Sequence, residues 1–173
     1  HRDLHSFPTR RSSDLSMHRI RELRGEEHTE AIRIYQQAVL SCDQKLYTQA
    51  QREAWASQGP SLHAALTRGQ GLASEGSDGQ LLAFALRDPN ARLSLLYCHP
   101  EAQRQGHGRA LVQAAETAAA QENLTELHTE ASLISTPLLL SLGWRIRWRE
   151  TLLIRGVPFE RFNLSRSLKP ILN

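Results

Sequence analysis

Residues 17–173 predict a mixed α/β domain of α+β character. A mostly antiparallel central sheet of about six to seven strands is flanked by helices, in the order β-α-α-β-β-β-α-β-α-β-β. Three observations carry that prediction. Apolar residues recur with helical spacing over residues 26–40 and 108–122. Apolar or alternating runs bounded by Gly, Pro, Asp and Asn mark strands on either side of these helices. One such run, Leu93–Cys98, stops short of Pro100 and passes through a two-glycine loop straight into the alanine-rich second segment.

Each element has its own local reason. A first strand is expected over residues 18–24, where Ile20 and Leu23 sit among arginines. Ala31, Ile34, Tyr35 and Ala38 give the helix at 26–40 one buried face. Thr48 followed by Gln51 is a capping box, with Ala50, Ala54 and Trp55 facing inward from the helix it starts. Residues 60–68 form a short helix or turn closed by Gly69. Residues 70–75 and 80–87 pair as a hairpin across Gly76-Ser77-Asp78-Gly79, and Asp88-Pro89-Asn90 turns the chain into Leu93–Cys98. The helix at 108–122 presents Leu111, Val112, Ala115 and Ala119 to the core. Residues 124–130 form a strand, and 136–142 a short helix closed by Gly143. Residues 144–154 and 157–165 make a last hairpin about Arg155-Gly156. Trp144, Ile146 and Trp148 alternate with Arg145, Arg147 and Arg149, which predicts one apolar and one basic face.

Composition narrows the class. A chain of 173 residues with 40% hydrophobic content supports one core and is short for two ordinary domains. Net charge is only +3 with no lysine-rich run, which speaks against nucleic acid as a partner. Two isolated cysteines, Cys42 and Cys98, fit a reducing, cytoplasmic setting better than a disulfide framework. No apolar run approaches the length of a membrane span, so no membrane partner is expected. The eight histidines show no paired ligand spacing, and no metal is expected. Residues 1–16 are polar and basic without periodicity, and Met17 directly follows them. They read as a non-native or disordered N-terminal extension ahead of a single domain at 17–173.

The loop after Leu93–Cys98 carries the chemistry. A helix start leaves backbone N–H groups unpaired with the positive end of the helix dipole behind them, and each such contact to an anion is worth about 0.3–1 kcal/mol. Glycine there lets a phosphate approach the backbone. A P-loop is excluded because no lysine or hydroxyl follows Gly108. A dinucleotide fingerprint is excluded because the loop falls mid-chain and lacks a third glycine. What remains is Gln103-x-x-Gly106-x-Gly108.

That pattern resembles motif A of the GNAT superfamily of acyl-CoA N-acyltransferases. A second patch, Glu130-Ala131-Ser132 followed by Pro137-Leu138-Leu139-Leu140-Ser141-Leu142-Gly143-Trp144, resembles the family's cofactor-flanking helix, which ends in Gly-Phe. Ala54-Trp55-Ala56 and Arg155-Gly156-Val157 resemble the small bacterial YafP-type N-acetyltransferases. The resemblance spans residues 17 to 168 and implies acetyl-CoA as co-substrate. It implies cofactor contacts from Leu96, Tyr97 and Cys98, from Gln103, Arg104, Gln105, Gly106, His107, Gly108 and Arg109, and from Ser132. The acceptor it implies is a primary amine of a small molecule or peptide, attacked directly in a ternary complex by a monomer or homodimer. The alternative is a non-catalytic acyl-CoA-binding or regulatory module that kept the cofactor site.

Acetyl transfer sets two demands of different size. An amine of pKa about 10.4 is protonated at pH 7, a deficit of roughly 4–5 kcal/mol. Expelling a thiolate of pKa about 8.5 costs only roughly 2 kcal/mol. Many family members place a general-acid tyrosine four residues before the Gly-Phe pair, where this sequence has Leu139. An acidic residue common in the fourth strand is replaced by Ser94. The catalytic candidates are therefore Tyr97, at the end of the fourth strand, and His128 and Glu130. The last two are read on opposite faces of the fifth strand, with one of them reaching the cleft. Cys98 as a transient acetyl acceptor, and Asp43 and Tyr47 as acceptor contacts, are the remaining options. Arg104, His107 and Arg109 flank the loop and could add charge to it.

Overall fold

The computed structural model describes residues 18–169. The expected extension at 1–16, with Met17, lies outside the described residues. Seven strands and five helices follow one another in the predicted order, except that the expected short helix or turn at 60–68 is a third helix between β1 and β2: β1 (Arg19–Glu22), α1 (His28–Leu40), α2 (Gln49–Ala56), α3 (Leu62–Arg68), β2 (Gln70–Glu75), β3 (Leu81–Arg87), β4 (Leu93–Cys98), α4 (His107–Gln121), β5 (Glu126–Ala131), α5 (Thr136–Ser141), β6 (Arg145–Ile154) and β7 (Val157–Ser167). Single 3-10 turns precede α1, α3 and the loop into α4.

The sheet is two sheets. Strands β1-β2-β3-β4 form one antiparallel unit and β5-β7-β6 another. They meet through one parallel bridge, Arg92 to His128, where the His128 N–H donates to the Ala91 carbonyl at 2.9 Å. One further bond closes the base, from the buried Thr129 hydroxyl to the Leu93 carbonyl at 2.6 Å. Beyond it no hydrogen bond joins β4 to β5 among the described residues, and the two strands splay apart.

Strand β3 shows why the core sits where it does. Its side chains alternate, so Ala83 and Ala85 join Leu111, Val112, Ala115 and Ala119 of α4 on one face. Phe84 and Leu86 join Ala31, Ile34, Tyr35 and Val39 of α1 on the other. A strand covered on both faces reads as the continuous apolar run LLAFAL. The small Ala83 and Ala85 let α4 lie close, and α4 in turn fixes where the loop before it points.

Most sequence expectations hold in detail. The Thr48–Gln51 capping box is present in both directions, at 3.1 and 2.9 Å. Arg155 and Gly156 both have positive φ, as a two-residue hairpin turn that matches strand twist requires. Two expectations fail. Ala50 is exposed on the first turn of α2, so that helix packs through Ala54, Trp55 and Ala56. Of the three alternating apolar residues only Trp144, just ahead of β6, is buried, while Ile146 is 46% and Trp148 58% exposed on the strand. A register shift at Arg147 breaks the period-2 pattern, and β6 is an edge strand with no layer over that face.

Candidate active site

The loop from β4 to α4 is held from below. His99 and Pro100 begin a 3-10 turn, with the His99 ring nitrogen accepting the Glu101 N–H at 3.1 Å. Arg104 and Gly106 then take left-handed backbone angles, φ +61° and +89°. A Cβ on Gly106 would lie 2.9 Å from the His18 ring, so glycine is required by both angle and space. The first backbone bond into α4 is from Ala110 N–H to the Gly106 carbonyl. The N–H groups of Arg104 through Arg109 have no protein acceptor among the described residues. A row of orphan amides at the start of a 15-residue helix fits a diphosphate.

His107 departs from expectation. Its side chain turns inward and pairs with the Ser74 hydroxyl at 2.7 Å, edge-on to His18 at 4.8 Å. Burial, then the neighbouring His18, pushes its pKa below the usual histidine value, so it adds no charge at neutral pH. Its backbone N–H alone faces the cradle. Arg104 is exposed, and Arg109 reaches the Ser141 hydroxyl at 3.2 Å.

The splay opens into a cavity of about 160 Å³. One wall is β4 from Leu93 to Tyr97, and the other is Thr129, Glu130 and Ser132 with Leu139 of α5. Tyr47, Trp55, Phe159 and the β6–β7 hairpin close the far side. The His99 N–H bonds the Leu82 carbonyl across β3, so alternation turns the backbone edges of Leu96 and Cys98 into the splay. Those unpaired amides are oriented to meet a carbonyl oxygen.

The predicted catalytic residues separate. Glu130 lines the cavity and is paired with Arg92 at 2.9 Å. His128 is exposed at the closed base of the splay and does not line it. Both lie on one face of β5, as residues two apart must, which corrects the expectation of opposite faces. Tyr97 lines the cavity, but its ring packs against Tyr35 at 4.7 Å and Phe84 at 6.0 Å, and burial drives its pKa far up. Burial pushes the Cys98 thiol to about 11, which disfavours a cysteine-bound acetyl intermediate at neutral pH. Asp43 bonds the Lys45 N–H and lies outside the cavity. Ser132 accepts the N–H groups of Ile134 and Ser135 and meets the Ser135 hydroxyl at 3.1 Å.

Arg92, Ser135 and Phe159 were not singled out from the sequence. Arg92 and Ser135 are set by neighbours distant in sequence, and Phe159 arrives on a hairpin after the last motif. No local pattern marks any of them. Among the described residues no cluster of three metal-ligating side chains exists, and no helix is long and apolar enough to cross a membrane.

A row of orphan amides at a helix start beside a splayed-sheet cavity is the arrangement of an acyl-CoA-dependent acetyltransferase. A family model described as an acetyltransferase (GNAT) domain matches residues 36–164, and the chain belongs to that family. Among solved structures it is similar to a GCN5-related N-acetyltransferase from Rhodopseudomonas palustris, at 22% identity and TM-score 0.82, covering 88% of this chain and 96% of that one. It is also similar to the PaiA N-acetyltransferase of Thermoplasma acidophilum, solved with coenzyme A, at 18% identity, TM-score 0.67 and coverage of 87% and 98%. The phosphinothricin acetyltransferase of Sinorhizobium meliloti, solved with acetyl-CoA, matches at 15% identity, TM-score 0.65 and coverage of 90% and 94%. Comparison with curated proteins gives no match.

Proposed function

We propose that this protein transfers acetyl from acetyl-CoA to a primary amine of a small molecule or peptide, by direct attack within a ternary complex. The observation that carries the reading is the continuity of two backbone surfaces. The orphan amides of 104–109 run into the open edge of β4 at Leu96 and Cys98, so one extended thioester can lie along both.

Acetyl-CoA supplies the activated acyl carbon when bound. The loop amides hold its diphosphate, and the β4 amides polarise the carbonyl. Glu130 is the carboxylate placed to receive the ammonium of the acceptor, with Arg92 fixing its orientation at 2.9 Å. The amine is the costlier partner, because it must lose a proton before attack. Trp55, Phe159 and Leu152 exclude water from the same cavity and favour an acceptor with an apolar body.

Thiol release from acetyl-CoA across a panel of amines tests the reading, alongside calorimetry with coenzyme A. Binding heat with amine-dependent release supports transfer. Binding without release on any amine supports the non-catalytic module, and no binding removes both.

A further inference from the structure

Four charged side chains stand on the cavity wall, Arg92, Glu130, Glu160 and Arg161, and their partners sort them. Arg92 donates through Nε to Glu130 at 2.9 Å and through Nη1 to the Asp88 carbonyl at 3.2 Å, so its guanidinium is held from two sides. Glu160 alternates away from Phe159 along β7, is half exposed, and lies 3.8 Å from Arg149. Glu130 keeps acceptor capacity beyond its bond to Arg92, because a carboxylate offers lone pairs on both oxygens.

Arg161 is different. Its Nε donates to Glu150 at 2.5 Å across the β6–β7 ladder, and Glu150 does not line the cavity. The remaining N–H groups of the Arg161 guanidinium have no protein acceptor among the described residues. That end of the group is the fork that grips a carboxylate through two parallel bonds. Arg161 follows Phe159 by two residues on the same face of β7, so the fork adjoins the apolar part of the wall. Glu130 stands opposite Asn163 in register, and Arg161 is two residues further along that face. Diagonal neighbours of this kind lie about 7–8 Å apart. Two side chains as long as Glu and Arg can therefore close on two opposite charges carried by one carbon.

We infer that the acceptor is an α-amino acid with an apolar side chain, and that Arg161 binds its carboxylate. The inference deepens the transfer reading above and rests on it. Glu130 receives the ammonium, the Arg161 fork receives the carboxylate, and Trp55, Leu152 and Phe159 receive the side chain. A polyamine would need a second carboxylate without a partner, which the wall does not offer among the described residues. The ammonium of a peptide lysine would reach Glu130 and leave the Arg161 fork unanswered.

The test is thiol release from acetyl-CoA with leucine, methionine and phenylalanine, each beside its own amide, and with a linear diamine. The amide keeps the amine and the side chain and removes only the carboxylate charge. It is also the less basic amine, so a preference for the free acid cannot come from basicity. Wild-type kcat/KM favours at least one free acid over its amide, and over the diamine, by about 10-fold or more. Arg161→Met raises KM for that acid about 10- to 100-fold, while KM for the amide stays within about threefold. Glu150→Gln breaks the same ion pair from outside the cavity and keeps the preference for the acid. A wild-type preference below about 10-fold overturns the carboxylate assignment and leaves the transfer reading standing. So does an Arg161→Met variant that retains the preference, or a Glu150→Gln variant that loses it equally, since the pair would then act only through the fold. A wild-type protein that binds coenzyme A yet releases no thiol with any amine overturns the transfer reading, and this inference with it.

Discussion

The two lips of the splay are built from different material. The β4 lip, with the loop that follows it, presents backbone: the amides of Leu96 and Cys98, then those of Arg104 through Arg109. The β5 lip and the elements behind it present side chains, from Glu130 and Ser132 to Tyr47 and Phe159. Backbone amides can hold only what every acyl-CoA has in common, a diphosphate and a thioester carbonyl. Side chains can be exchanged without disturbing that hold. The division explains how one lip can be common to a family while the other sets what is acetylated.

The sharpest way to break the comparison is to spoil the backbone lip with one residue. Gly106→Glu adds a Cβ 2.9 Å from the His18 ring at φ +89° and puts a carboxylate where the cradle expects an anion. Left-handed angles cost a non-glycine residue about 1–2 kcal/mol, and like-charge repulsion adds to that. Coenzyme A affinity should fall about 100-fold, or about 2.8 kcal/mol, by calorimetry. Thermal melting of the ligand-free protein reports the strain term separately. Undiminished binding would mean that the diphosphate lies elsewhere.

How the lips were legible in the sequence follows from the same division. A backbone site needs glycines at fixed spacing beside a helix start, so Gln103-x-x-Gly106-x-Gly108 disclosed it locally. The strand order and the α4 face were equally local, because periodicity writes them into consecutive residues. The side-chain lip has no such spacing. Tyr47, Arg92, Glu130 and Phe159 converge from four parts of the chain. His128 had the right intrinsic chemistry for a base, yet the bridge to Arg92 sets it at the closed end of the splay. Trp148 followed a period-2 pattern, but burial also needs a covering layer, and none lies over that face of β6, where Trp148 stays exposed.

The join between the lips gives the next effect in size. Thr129 Oγ–H to the Leu93 carbonyl ties β4 to β5 at the base of the splay, and the residue is buried. Thr129→Val keeps the shape and leaves that carbonyl unpaired, which costs about 1–3 kcal/mol. Urea unfolding should show this loss, while Kd for coenzyme A moves by less than about threefold because the loop amides are untouched. A large affinity change with little unfolding change would show that the base bond sets the cradle and not merely the fold.

A smaller effect separates ion pairing from either lip. Arg21 meets Glu27 through two bonds at 2.7 and 2.8 Å and Glu75 at 2.5 Å. Its guanidinium holds the Glu27 carboxyl below the usual carboxylate range, through hydrogen bonding first. A depressed carboxyl contributes stability above its unfolded pKa, and loses it as pH falls through the lower folded value. Melting temperature should therefore drop as pH falls below about 4.5. Arg21→Met should lower stability at pH 7 by about 1 kcal/mol after allowance for solvent screening, and should flatten the acid limb. An unchanged acid limb would place the sensitive carboxylates elsewhere.

The smallest effect tests whether the β4 lip is read through backbone at all. Arg104 is exposed and sits at φ +61°, where a side chain costs up to about 1–2 kcal/mol and glycine costs nothing. Arg104→Gly relieves that strain but loosens the unfolded chain, which takes back about 0.5–1 kcal/mol. The net change in stability should lie between zero and about 1 kcal/mol in favour of glycine. If the amides alone grip the diphosphate, coenzyme A affinity changes by less than about threefold at physiological salt, because an exposed cation is largely screened there. A loss of tenfold or more, steeper at low salt, would show that the guanidinium supplies charge the backbone does not. The β4 lip would then owe part of its hold to a side chain, as the β5 lip does.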